Sequence, residues 1–535
     1  MKSNGILFHH PVAFWIGCLL IVAGVLCHFP MFIMSSHMGY QMAGMPMDST
    51  MLTGMFMIPT GLIMAIYGLM PRLDQLRGNL QHETIHFHIQ EGTVLNLEHW
   101  KLAVVLIVAL AVDVMKPATL GFVMPGMVKE YEITRQTAGY LALFALTGTM
   151  VGSLIWGRFA DSFGRRAAIL LSALMFIATA ICGAMPTFNW NLGMCFLMGA
   201  AAGGLLPITF TLMAEMIPAA HRGWLLVGLG GLGTAAGYFL AAGSATLLEP
   251  LFSWRILWLL GLPTGAIIIL LNRFIPESPR FLVNMGLNAE ARAVMAKYSA
   301  VIIEDITAMK AGSPKELAPQ SGKLKQFARG TYAPLTCGLC MAGIAWGLVN
   351  FGFLLWLPSN LRDMGMNGGA ASGLLARSAV IALPGIALVI WLYHRWSSIK
   401  ALVLFIGLTA LSILLFFVMS VTHIHSTPAI VVATASLLIS ASGVIAMLIP
   451  YSAEIYPIHL RGTGSGIIAA SSKFGGILGA LGGVLGLFNN MGASAAFISI
   501  PLVISAMMLL NCGVDTRGRC LEDIHDDIVR RQSSR

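Results

Sequence analysis

Residues Gly157 to Arg166 read GRFADSFGRR, a charged, glycine-punctuated decapeptide set between two long apolar runs, 136–158 and 166–185. Lipid offers no hydrogen-bond partners to an irregular backbone, so a segment of this composition belongs in a turn at the level of the headgroups. Gly157 and Gly164 are expected to permit close approach and a sharp turn, and Arg158, Asp161, Arg165 and Arg166 to form an ionic cluster beside it. The decapeptide therefore implies a chain that crosses a membrane on either side of it.

Composition extends that reading to the whole chain. The 535 residues are 57% hydrophobic and only 10% charged, with a mean hydropathy of +0.80, which identifies an all-α polytopic membrane protein. The formal charge of +9 falls in short clusters between apolar runs, as orientation signals do, and this argues against a nucleic-acid partner. The eight cysteines are scattered; Cys337 and Cys340 form a CxxC inside an apolar segment, where packing is the better account than redox or zinc chemistry. The run 11–33 is longer than a signal-peptide core and is read as a span.

Apolar runs near 20 residues long give fourteen spans. Two come first, 11–33 and 51–70; twelve follow, 101–124, 136–158, 166–185, 190–214, 222–246, 254–274, 332–357, 371–393, 399–419, 428–450, 461–486 and 492–512. The division is a two-helix extension (1–100), a six-helix bundle (101–275), a polar linker (276–330), a second six-helix bundle (331–515) and a tail (516–535). Arginines and lysines of alternate loops, among them Arg72, Arg158, Arg222, Arg280 and Arg395, share one side, which predicts that side and both termini to be cytoplasmic.

The two bundles repeat each other. AEMIPAAHRG (Ala214 to Gly223) recurs as AEIYPIHLRG (Ala453 to Gly462), pairing Glu215 with Glu454 and Arg222 with Arg461. The decapeptide has only a worn counterpart, WLYHRWSSIK (Trp391 to Lys400), with Arg395 where an acid is expected, so an asymmetric latch is predicted.

Together GRFADSFGRR, AEMIPAAHRG, PESPRFL (Pro276 to Leu282) and AEIYPIHLRGTGSG resemble the major facilitator superfamily, in the branch of sugar porters, organic-ion transporters and aromatic acid/proton symporters, over 101–515. The resemblance implies twelve core helices as two pseudo-repeats, plus the two extra helices here, and a non-enzymatic transporter of alternating access with a central site between its halves. It implies a monomeric core in a bacterial inner membrane, with a small molecule, protons and lipid as partners. It assigns a cytoplasmic gate to Gly157, Arg158, Asp161, Gly164, Arg165, Arg166, Glu215, Arg222, Glu454 and Arg461. The seventh core helix lacks the glutamine pair of sugar porters and ends in WLP, which favours a small organic ion over a hexose.

Ionisable residues deep in a span mark a substrate or ion path by default. Asp113 and Lys116, at i and i+3 in the first core helix, share a face, and Pro117 loosens the backbone beyond them. Lys473 sits mid-way along the eleventh core helix and Arg377 about two turns into the eighth. These residues suit a proton-coupled symporter of a small organic anion: Asp113 as proton acceptor balanced by Lys116, Lys473 and Arg377 as carboxylate ligands, Asn350 and Trp346 as lining. Glycine-rich GLGGLGTAAG and GGILGALGG lack the strand and the Lys-Ser/Thr of a nucleotide loop, so ion or substrate gradients supply the energy.

The extension concentrates His28, Met31, Met34, His37, Met38, Met42, Met45, Met47, Met51, Met55 and Met57. Thioether and imidazole ligands suit Cu(I), and His37, Met38, Met42, Met45 and Met47 in the outer loop are the candidate ligands of an alternative, copper uptake; adaptable packing is the other account of the same methionines. His82, His86 and His88 form a weaker group. No resident cofactor is otherwise expected. A non-transporting receptor or assembly factor is a further alternative.

Overall fold

The computed structural model describes residues 10–69, 94–285, 287–298, 332–363, 365–422, 426–456, 458–488 and 490–516; the side chains of 219–220, 284, 453 and 458–463 are not among them. His82, His86 and His88 lie outside the described residues, as does the side chain of Arg461. Among the described residues, fourteen helices are long and apolar enough to cross a membrane.

The extension is α1 (Pro11–Leu26), α2 (Phe29–Met34) and α3 (Ser49–Leu69). The first six-span set is α4 (Leu97–Glu130), α5 (Arg135–Phe163), α6 (Arg165–Ala178), α7 (Phe188–Met216), α8 (Ala219–Phe252), then α9 (Ile256–Leu259) with α10 (Gly261–Leu270). Two short helices follow, α11 (Pro279–Asn284) and α12 (Asn288–Lys297). The second set is α13 (Ala333–Leu348), a π-helical turn Val349–Leu354 and α14 (Leu357–Asp363), then α15 (Gly368–Arg395), α16 (Ser398–Val421), α17 (Thr427–Ile455), α18 (Ile458–Val484) and α19 (Met491–Cys512).

Several helices start where the sequence supplies a capping oxygen. Asn96 and His99 form a reciprocal capping box at α4, and Asn367, Ser397, Ser426 and Asn490 accept from the third residue on at α15, α16, α17 and α19. The spans also run past the apolar cores that define them in sequence. At 34 residues, α4 is roughly 50 Å long, well beyond a hydrocarbon core of about 30 Å, so its charged ends, Glu98 and Glu130, stand outside the apolar slab.

Contacts group the chain into two compact units. The first holds 1–133, 147–222 and 247–309; the second holds 134–146, 223–246 and 310–535. In the first, α1 and α3 form a tight antiparallel hairpin: a Cβ on Gly17 or Gly61 would meet the opposing backbone at 2.6 to 2.7 Å, so small residues set the spacing. That hairpin packs against α6. Trp156 on α5 donates to the Ala200 carbonyl of α7 at 2.7 Å, an interhelical hydrogen bond that lipid cannot replace. In the second unit α13 packs along α18 and α19, and α16 along α19.

Candidate functional site

At one end of the first unit, α5 carries straight through the decapeptide to Phe163, and the chain reverses on Gly164 alone. Gly164 adopts φ 102° and ψ 156°, a conformation reserved for glycine, and a Cβ there would strike the Glu277 carboxylate. Gly157 differs from expectation: it is an exposed mid-helix residue, and a Cβ placed on it would meet nothing within 4 Å, so it supports neither turn nor contact. The reason is that the helix continues through 158–163 before the chain reverses.

Glu277, from the PESPR stretch, is the centre of this end, a role that spacing in the sequence does not assign it. Its Oε1 accepts from the Arg165 amide at 2.6 Å and its Oε2 from the Arg166 amide at 3.2 Å, so a carboxylate caps the amino terminus of α6. It is 3% exposed, and burial pushes its carboxyl up to about 7 against those amides and the nearby Arg165. Of the four charges expected to cluster, Arg165 and Asp161 form an ion pair. Arg165 pairs with Asp161 at 3.2 Å and Glu215 at 3.5 Å, and Arg166 donates to Asn272 at 2.7 Å. Arg222 donates to the Ile217 carbonyl, and Arg158 is exposed. Asp161 is 76% exposed, so its pair with Arg165 contributes little to stability by itself.

The second unit has a polar cluster of its own. Glu454, the repeat counterpart of Glu215, accepts from the Tyr393 hydroxyl at 2.9 Å and the Thr516 hydroxyl at 2.7 Å. Thr516 and Asp515 also bind Ser398 at the start of α16, which stitches the segment after α19 to that corner. The Tyr393 and Thr516 hydroxyls thus meet Glu454, and the Arg165 guanidinium meets Glu215. Arg395, in the worn motif, is exposed.

At the other end of the first unit, Glu130 and Arg255 form a buried ion pair at 2.6 Å. Arg255, fully buried, also donates to the carbonyls of Gly183 and Met185, and Trp254 donates to Glu130 at 2.8 Å. The extension completes the set: the Met42 and Ala43 amides donate to Glu130 at 2.7 and 3.1 Å. A buried pair surrounded by hydrogen-bond partners in this way avoids the penalty of an uncompensated charge. No sequence pattern links these groups, whose hydrogen bonds join residues 70 to 125 positions apart.

The Met/His loop is organised by this contact. Met42 is fully buried in a cluster with Met31, Phe32, Met51, Ala184 and Leu259; Met45 and Met47 pack on it, while His37 and Met38 are exposed on the turn Ser35–Met38. An exposed metal loop built from His37, Met38, Met42, Met45 and Met47 is therefore not what forms, because burying thioethers is favourable and the backbone at Met42 is held by Glu130. Among the described residues, no three His, Cys, Asp or Glu side chains are placed to hold a metal ion.

Of the ionisable residues within spans, Asp113 and Lys116 are buried, 5% and 3% exposed, about midway along α4. Lys116 turns into the first unit: its ammonium occupies the hollow left by Gly261, beside the Phe176 carbonyl, with Cys182 and Cys195 as electrostatic neighbours and no hydrogen bond to Nζ. This departs from the expectation of Asp113 and Lys116 presenting their charges together, because four rotatable bonds let the ammonium reach α10. In the second unit Lys473 is half-buried near the centre of α18 and Arg377 is exposed on α15. Trp346 donates to the Ala441 carbonyl at 2.9 Å, and Asn350, one turn on, donates to the Trp346 carbonyl at 3.0 Å. Asn350 lies in the π-helical turn, a local unwinding that frequently marks functional positions. Beyond it Arg135, in the same unit, pairs with Asp363, donates to Asn360 at 2.6 Å and stacks over Trp356.

Comparison with known proteins agrees with this architecture. The chain is 28% identical to the niacin transporter NiaP of Acinetobacter baylyi over 433 residues, 80% of this chain and 96% of that one. It is 28% identical to the 4-hydroxybenzoate transporter PcaK of the same organism over 406 residues, 73% and 85% of the respective chains. Among solved structures, the partially occluded inward-open xylose transporter XylE of E. coli superposes with a TM-score of 0.64 at 15% identity, over 80% of this chain and all of that one, which shows the fold. The Major Facilitator Superfamily model matches residues 103–480, and the chain belongs to that family as a membrane-spanning transporter.

Proposed function

We propose that the chain moves a small aromatic monocarboxylate across the bacterial inner membrane by alternating access, in symport with a proton. The observation that carries the reading is the presence of ionisable residues at mid-span, Asp113 on α4 and Lys473 on α18. Niacin and 4-hydroxybenzoate, named for the two relatives, are both compact aromatic carboxylates. A half-buried ammonium suits such a carboxylate, and a buried carboxyl suits the accompanying proton. In this reading Asp113 takes and releases the proton, Lys473 receives the carboxylate with Arg377 as an auxiliary cation, and Asn350 and Trp346 contact the ring. Lys116 supplies a fixed positive charge three residues from Asp113. The Gly164–Glu277 cluster of the first unit, with Arg165 and Glu215, and the hydroxyl contacts of Glu454 in the second each serve as cytoplasmic latch elements: contacts that hold when closed and exchange for water when open.

Uptake of radiolabelled nicotinate and 4-hydroxybenzoate into cells expressing the chain tests the assignment. Saturable uptake of at least one, reduced tenfold or more in Asp113→Asn and Lys473→Ala with unchanged membrane abundance, is expected. Undiminished uptake in both variants would overturn the residue roles, and hexose uptake with no carboxylate uptake would overturn the substrate class.

A further inference from the structure

One buried side chain in the extension has an atom the transport reading does not use. His28, between α1 and α2, is fully buried. Its ring Nδ1 lies 2.8 Å from the Gly24 carbonyl, an acceptor only, so Nδ1 carries the proton and Nε2 presents a lone pair; Nε2 has no hydrogen-bond partner. Room for the ring exists because Gly54 on α3 has no side chain: a Cβ there would lie 2.9 Å from Cε1 of His28.

Three buried thioethers belong to the same extension. Met31 is three residues after His28 and so stands above it on one helical face, and Met51 is three residues before Gly54 on the face of α3 that meets the ring. Met31, Met42 and Met51, exposed by 3%, 0% and 0%, share a single packed cluster. Asp48, whose Oδ1 accepts from the Met51 amide at 2.7 Å, is a charged neighbour of His28.

An imidazole whose Nδ1–H is pinned to a carbonyl, leaving Nε2 bare, is the arrangement in which metal-binding histidines are held. Thioethers are soft ligands that favour Cu(I) and leave magnesium, calcium and zinc poorly served. No three His, Cys, Asp or Glu side chains converge among the described residues, so a harder cation has no site there. We propose that the extension binds one monovalent soft cation, of the Cu(I)/Ag(I) class, at Nε2 of His28 with the thioethers of Met31, Met42 and Met51. The ion would tie the hairpin to the loop whose Met42 and Ala43 amides hold Glu130, clamping the extension onto the first unit. The site is independent of Asp113 and Lys473 and stands or falls apart from the carboxylate reading.

The test is anaerobic Cu(I) titration of the purified full-length chain against a chromophoric Cu(I) chelator, with thermal unfolding in Ag(I) as a second readout. One equivalent of Cu(I) per chain is expected, with affinity lowered at least about tenfold in His28→Gln and in Met51→Leu, a volume-conserving change. His37→Gln, on the exposed turn, should bind as the parent does, and Ag(I) should raise the unfolding temperature of the parent but not of Met51→Leu. Should His28→Gln fail to fold, Met51→Leu and Met42→Leu decide. No competition with the chelator, parental affinity in the His28 and Met51 variants, or loss confined to His37→Gln would each overturn the proposal.

Discussion

Substituting alanine separately at the two glycines of GRFADSFGRR should give opposite results. At Gly164 the backbone sits at φ 102° and ψ 156°, where a side chain costs about 1–3 kcal/mol. The new Cβ would also displace Glu277, and weakening one of the three amide bonds to that carboxylate adds about 1.5–3 kcal/mol. Gly164→Ala should therefore destabilise the first unit by about 2.5–6 kcal/mol, the sum of these two contributions. Gly157 lies inside α5 with open space around it, so Gly157→Ala should gain about 0.5–1 kcal/mol from reduced unfolded-state entropy. Thermal unfolding of both variants in detergent, beside uptake at matched membrane abundance, measures this directly. A Gly164→Ala protein as stable as the parent, or a Gly157→Ala protein as damaged as Gly164→Ala, would refute the placement of the turn and the Glu277 cap.

Two further outcomes concern buried groups of the first unit. The Glu277 carboxyl is raised from an ordinary 4.5 to about 7, so the folded state holds a proton that the unfolded state has released between those values. Stability from this group is greatest below about 4.5 and declines as pH rises to about 7, by roughly 3 kcal/mol in all; Glu277→Gln should flatten that slope in a pH series of unfolding temperatures, and an unchanged slope would contradict the assignment. Gly261→Ala should push Lys116 from its hollow and cost about 1–3 kcal/mol by overpacking. Lys116→Met should absorb part of that loss, giving a coupling of about 0.5–3 kcal/mol in a double-mutant cycle, whereas strict additivity would place the two residues apart.

Much of the architecture was legible because membrane spans announce themselves by length and apolarity, and the repeat of Glu215 and Glu454 is written in the chain. What was not legible depended on partners distant in sequence. Gly157 and Gly164 look equivalent in a motif, and only the course of α5 to Phe163 separates them. Glu277 reads as one charge in a polar linker until its carboxylate is seen on the amides of Arg165 and Arg166. Lys116 shares a helical face with Asp113 by spacing, yet its long side chain carries the charge to Gly261. The methionines of the extension look like a surface ligand array; burial of Met42 and the hold of Glu130 on its amide turn much of that array inward. The π-helical turn at Asn350 has no local signature in the sequence, since the apolar run continues through it.

The central claim, that Asp113 carries the proton that accompanies a carboxylate, is tested most directly in proteoliposomes containing the purified chain and a trapped pH indicator. Addition of nicotinate or 4-hydroxybenzoate should acidify the interior of vesicles holding the parent. Asp113→Asn should abolish proton entry while retaining exchange of labelled for unlabelled substrate. Proton movement that persists in Asp113→Asn, or substrate entry by the parent without any proton, would contradict the account.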